Sequence, residues 1–116
     1  MIPTSLKLFS LSSSMKEFRV LMRKNGIEIM DYGHDLRDNI VWFFLQTEMS
    51  KDFIKFAKKN DLMNFLDNNA KIYDIPFGND HMIYDKIIVI EFEADNFPQF
   101  VKYVGELDNM RILAKI

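Results

Sequence analysis

The stretch Asn39-Ile40-Val41-Trp42-Phe43-Phe44-Leu45 decides how this chain is read. Residues 40–45 are apolar without interruption, β-branched at the start and aromatic in the middle. A run so short, with that composition, reads as a strand covered on both faces.

Downstream, the apolar spacing turns helical. Phe53, Ile54, Phe56 and Ala57 make one stripe; Leu62, Met63, Phe65 and Leu66 lie on a rotated face, with Asn60-Asp61 between them. The pattern predicts either two short helices or one broken helix. Ser50 would be its N-cap, Asp52 would sit near the positive end, and Asp61 would cap the second piece. Asn68-Asn69 stops it. Residues 70–75 read as a strand ended by Pro76, and residues 77–84 as a loop around Gly78-Asn79-Asp80. Residues 86–94 form a strong strand, buried at 87–90 and alternating through Glu91, Phe92 and Glu93. Asp95 or Asn96 then caps a helix whose first turn tolerates Pro98. Phe97, Phe100, Val101, Val104 and Leu107 give that helix one buried face. Gly105 is expected to loosen its last turn, Asp108-Asn109 to turn the chain, and residues 110–116 to alternate as a final strand.

From 39 to 116 the order is strand, helix, strand, strand, helix, strand. With right-handed crossovers this predicts an α+β fold, a ferredoxin-like β-α-β-β-α-β unit with a mainly antiparallel sheet and helices on one face.

Upstream, residues 16–24 lead into Asn25-Gly26, and residues 27–32 follow. Asn-Gly suits both central positions of a type I′ turn, because each tolerates positive φ. The register would set Met22 opposite Ile29 and Arg23 opposite Glu28. Phe18, Val20, Met22, Ile27 and Ile29 would share one face, and Glu17, Arg19, Arg23 and Glu28 the other. The expectation is an N-terminal β-hairpin added to the unit, ended by a loop at Tyr32-Gly33-His34-Asp35. Residues 6–11 read as a short strand and Ser12-Ser13-Ser14 as a polar break, so residues 1–14 form a loosely attached strand or tail. Met15 is an alternative start to Met1.

A length of 116 residues suits a single domain, 1–116, with one core. Eleven Phe point to a core built on aromatic volume, or to an apolar surface that a partner covers. A net charge of −2 supplies no general field for nucleic acid. The absence of Cys excludes disulfides, thiolate catalysis and Cys-ligated zinc. No apolar run is long enough to span a membrane and no leader pattern opens the sequence, so a cytoplasmic protein with no membrane association is expected.

Candidate chemistry is sparse. His34 stands beside Asp35 and His81 beside Asp80, and each carboxylate could orient its ring. If the two loops met, they would offer an acid–base pair or a hard metal site. Their spacing matches no ligand pattern, and two solvated loop histidines are the plainer reading. There is no nucleophile elbow and no phosphate-cradling glycine loop. An RNA-binding sheet would use Trp42, Phe43 and Phe44 for stacking, but Glu91 and Glu93 stand where basic residues are needed. Lys55, Lys58 and Lys59 read as a solvated helix face. Arg19, Arg23 and Lys24 form the better basic patch, partly neutralised by Glu17 and Glu28. Glu91 and Glu93 share a strand face about 7 Å apart, more simply a polar rim than a metal site.

The function predicted is a small non-catalytic protein-binding domain with no cofactor and no metal, of the inhibitor, immunity or phage-accessory type. A sheet face or an acidic rim of Glu91, Glu93, Asp95, Glu106 and Asp108 would hold a basic partner protein. The alternative is a nucleic-acid-binding or nucleic-acid-processing protein that uses the sheet face with His34 and His81. Pairing of two copies through their sheets is a third expectation.

Overall fold

The computed structural model describes residues 4–79 and 82–114. Helix α1 (Thr4–Lys24) leads to strands β1 (Asp31–Asp35) and β2 (Ile40–Gln46), then to helices α2 (Thr47–Lys59) and α3 (Met63–Asn69). Strands β3 (Ala70–Asn79) and β4 (Met82–Glu93) follow, then a 3-10 turn at Ala94–Asn96 and helix α4 (Phe97–Ala114). The class is α+β, with one antiparallel sheet in the order β1-β2-β4-β3. Among the described residues no helix is long and apolar enough to cross a membrane.

The N-terminal hairpin is replaced by a helix. Leu11, Met15, Phe18, Leu21 and Met22, all buried, recur at helical spacing along α1. The expected strand at 6–11 and the serine break at 12–14 lie within it. Asn25-Gly26 serves as a helix cap and not as a strand turn. Gly26 has φ +77°, its N–H donates to Arg23 O at 3.1 Å, and Ile27 N–H donates to Met22 O at 2.9 Å. Those two bonds satisfy carbonyls that a helix end otherwise leaves open, and Met22 and Ile27 bury their side chains beside the cap. The dipeptide fits both structures because both require positive φ. The tertiary contacts of Leu11, Met15 and Phe18 select the helix.

The same cap closes α2. Asp61 adopts φ +58°, and Leu62 N–H donates to Ala57 O at 2.8 Å. The break expected at Asn60-Asp61 is therefore present, but Asp61 ends the first helix and does not cap the second. Helix α2 also starts three residues before Ser50, after Gln46. Glu48 in its first turn and Lys58 and Lys59 in its last complement the helix dipole.

The ferredoxin-like order is not reached. β2 and β3 both run antiparallel to β4, so they lie parallel to each other with β4 between them. Helices α2 and α3 make that crossover. The outer edge of β2, where a closing C-terminal strand would pair, is taken by β1, with Asp31 opposite Phe44 and Asp35 opposite Ile40. The segment expected as the last strand continues α4 to Ala114 instead. Gly105 lies inside this helix, where a β-carbon would meet Glu17 Oε1 at 3.7 Å and Leu21 Cδ1 at 3.9 Å. The residue thus faces α1 and does not loosen a helix end.

Tyr32-Gly33-His34-Asp35, expected as a loop, belongs to β1. The turn that follows is held by Asp35, whose Oδ1 accepts from Arg37 N–H at 2.9 Å, and by Asn39 at φ +55°. β3 runs through Pro76, which is tolerated because β3 is an edge strand. β3 and β4 extend well past the end of β2, into the stretch expected as a loop.

Burial along β2 alternates. Val41, Phe43 and Leu45 are buried, while Ile40, Trp42 and Phe44 are only partly covered. The strand is therefore not sealed on both faces. Val41, Phe43 and Leu45 lie opposite Phe92, Ile90 and Ile88 of β4 on the core side. Phe18 of α1 is the hub there: its ring lies 4.8 Å from Phe43, 5.4 Å from Phe97, 5.9 Å from Phe100, 6.1 Å from Phe92 and 6.4 Å from Phe53. Phe18, Phe43, Phe53, Phe92, Phe97 and Phe100 thus fill one layer between the helices and one face of the sheet.

Candidate interaction surface on the open sheet face

The second face of the sheet follows from strand parity. Residues directly opposite each other across antiparallel strands share a face. Asp31, Gly33 and Asp35 of β1 lie against Phe44, Trp42 and Ile40 of β2. Those same β2 residues lie against Val89, Glu91 and Glu93 of β4. Glu91, Val89 and Ile87 are in turn opposite Lys71, Tyr73 and Ile75 of β3. None of these side chains except that of Val89 is fully buried.

The centre of this face is aromatic and aliphatic. The rings of Trp42 and Phe44 are 4.6 Å apart at an angle of 31°. Trp42 spreads over β1 because Gly33 has no β-carbon; one placed there would meet Trp42 Cζ2 at 2.5 Å. Val89 lies beneath, and Tyr73 and Ile75 continue the apolar surface onto β3, 40% and 41% exposed.

The polar groups sit around that centre. Glu91, between Trp42 on one side and Lys71 on the other, accepts a short hydrogen bond from the Tyr73 hydroxyl. That bond pushes the Tyr73 pKa up to about 12, assisted by burial and by the negative charge of Glu91. Glu93 accepts from Asn96 Nδ2 at 3.1 Å, and Asn96 also donates to Asn69 Oδ1 at 2.9 Å. At this end of the sheet a groove of about 360 Å³ is lined by Asp38, Asp67, Glu91 and Glu93, with Lys71 the only base among its lining residues. The open face therefore carries Asp31, Asp35, Glu91 and Glu93 against Lys71.

Comparison with protein families, curated proteins and solved structures gives no significant match.

The residues singled out from the sequence are divided by this geometry. Glu91 and Glu93 meet on the open face. Asp95 is exposed in the 3-10 turn that follows, and Glu106 is exposed on α4, which packs on the opposite layer. Asp108 belongs to α4, but its side chain is outside the described set. Glu91 and Glu93 thus share the open face, whereas Glu106 stands on a helix of the opposite layer. His34 is exposed on edge strand β1, opposite Val41. The Asp35 carboxylate beside it accepts from the backbone of its own turn. Asp80 and His81 lie outside the described residues. Asn79 and Met82, on either side of them, belong to β3 and β4 beyond the end of β2. Among the described residues no three carboxylates or histidines converge into a group that could hold a metal ion. Gly33 and Tyr73 were missed from sequence. The pairing of Gly33 with Trp42 has no local signal, because it depends on which strand occupies the edge of β2.

Proposed function

We propose that this chain is a non-catalytic protein-binding domain of the inhibitor or immunity type, and that it holds a basic partner against the open face of its sheet. The observation that carries the reading is the Trp42–Phe44 pair, which lies outside the core cluster that the helices build with Val41, Phe43 and Leu45. An aromatic centre inside a polar rim is the anatomy of a protein interface, where a few buried rings contribute most of the affinity and the surrounding groups exclude water. The carboxylates outnumber Lys71 on this face, which favours a partner rich in Lys and Arg and speeds its approach. They also weigh against two copies meeting face to face, and against nucleic acid, although the two rings alone would suit stacked bases.

Affinity capture with the full chain as bait tests this. The expected result is a basic protein retained by the wild type, lost on Trp42→Ala or on the double change Glu91→Lys with Glu93→Lys, and retained by Lys51→Ala on α2. Retention of the same protein by all three variants refutes the reading, as does loss on Lys51→Ala alone.

A further inference from the structure

A second surface lies on α1, apart from the open sheet face. Lys16, Arg19, Val20 and Arg23 recur at i, i+3, i+4 and i+7, so they share one side of the helix. With Tyr32 of β1 they line a shallow pocket of about 280 Å³. Its lining holds three cations and no carboxylate, in a chain whose net charge is −2.

The cations are poorly neutralised. Arg23 has a single long contact to Glu28, 3.4 Å between Nη2 and Oε1, with both side chains largely exposed. Glu17, the other acid expected to offset this patch, is turned toward α4, near Gly105. The Arg19 guanidinium lies 5.8 Å from the centre of the Tyr32 ring, which holds its plane without satisfying its charge. Arg19 Nε is closed off from solvent and has no acceptor among the described residues. A ligand oxygen cannot reach Nε while it is closed off, so contact falls to the outer guanidinium nitrogens of this partly exposed side chain.

We infer that this pocket binds a phosphate group. The two guanidinium forks match the oxygen geometry of phosphate, and Lys16 adds a mobile point charge. A singly charged carboxylate would leave most of the positive charge unmet, whereas a phosphate monoester dianion meets two of the three. Val20, 55% exposed, and the Tyr32 ring provide an apolar wall beside the cations. The phosphate is therefore one carried on an organic body, either a soluble monoester or a lipid headgroup.

The test is an NMR titration of the full chain with inorganic phosphate at constant ionic strength, alongside co-sedimentation with phosphatidylcholine vesicles with or without phosphatidic acid. Saturable shifts at Lys16, Arg19, Arg23 and Tyr32 are expected with phosphate. Arg19→Gln and Lys16→Gln should each weaken binding about tenfold, as loss of one charge-assisted contact does. Glu28→Gln frees Arg23 and should tighten binding a few-fold, and Lys58→Gln on α2 should change nothing. Response to phosphate in solution supports a soluble ligand; response only to phosphatidic acid vesicles, with the same order of variants, supports a headgroup. The inference is overturned if chloride reproduces the shifts, if neither probe binds, or if Arg19→Gln and Lys16→Gln bind as the wild type does.

Discussion

The indole of Trp42 occupies the space that a side chain on Gly33 would need: a β-carbon there would lie 2.5 Å from Cζ2 and 2.9 Å from Cε2. The backbone of Gly33 is ordinary strand, so the requirement for glycine comes from its neighbour and not from φ. Gly33→Ala should force the ring off β1 and cost about 1–3 kcal/mol, the usual penalty of overpacking. In a Trp42→Ala background the same change should cost almost nothing. Urea denaturation of the four chains measures the coupling, and the fluorescence of the single Trp reports the displaced ring directly.

The two left-handed helix caps predict changes of opposite sign. A β-carbon at Gly26 would meet nothing within 4 Å, so Gly26→Ala isolates the backbone term. It should destabilise by about 1 kcal/mol. Asp61 already bears that strain, and Asp61→Gly should relieve it, less the greater freedom of glycine in the unfolded chain. A net gain of roughly half a kcal/mol in thermal unfolding is expected.

Tyr73 supplies an alkaline signature. Its phenol is held protonated to about pH 12 in the fold, against 10.0 for the unperturbed group. The folded pKa is the higher one, so the contribution to stability is complete below pH 10 and is lost as pH rises toward 12. Phenolate absorbance should show Tyr73 ionising late, and Glu91→Gln should bring it back toward 10.0. An unchanged titration in Glu91→Gln would show that the hydrogen bond is not the cause.

Phe18→Ala should cost about 3–5 kcal/mol, as the removal of a fully buried ring does. That is a large share of the roughly 5–15 kcal/mol that holds a domain of this kind together. Because the ring touches β2, β4, α2 and α4, the loss should lower the single denaturation midpoint without splitting the transition. A separate early unfolding of α1 would contradict that.

The legible parts of the chain are those where one period dominates. The apolar run 40–45 gives β2, the two rotated stripes give α2 and α3 with their break, and Phe97 to Leu107 give the first half of α4. The illegible parts are those where two periods coexist. Phe18, Val20 and Met22 alternate as a strand would, while Leu11, Met15, Phe18 and Met22 repeat as a helix would. The second set is buried and Val20 is exposed, so the core chose between them. At the C-terminal end, alternation over a few residues suggested a strand for which β2 had no free edge. Of the candidate surface, Trp42, Phe44, Glu91 and Glu93 were visible as residues, but their common face depended on the register of three strand pairs.

Placing every helix on one side of the sheet splits the work of β2 between odd and even positions. Val41, Phe43 and Leu45 are committed to the core, whereas Ile40, Trp42 and Phe44 are not. A lineage carrying this chain can therefore rewrite the even set without first solving the folding problem again. Over long divergence the strand should become two interleaved sequences, one nearly frozen and one drifting with whatever it meets.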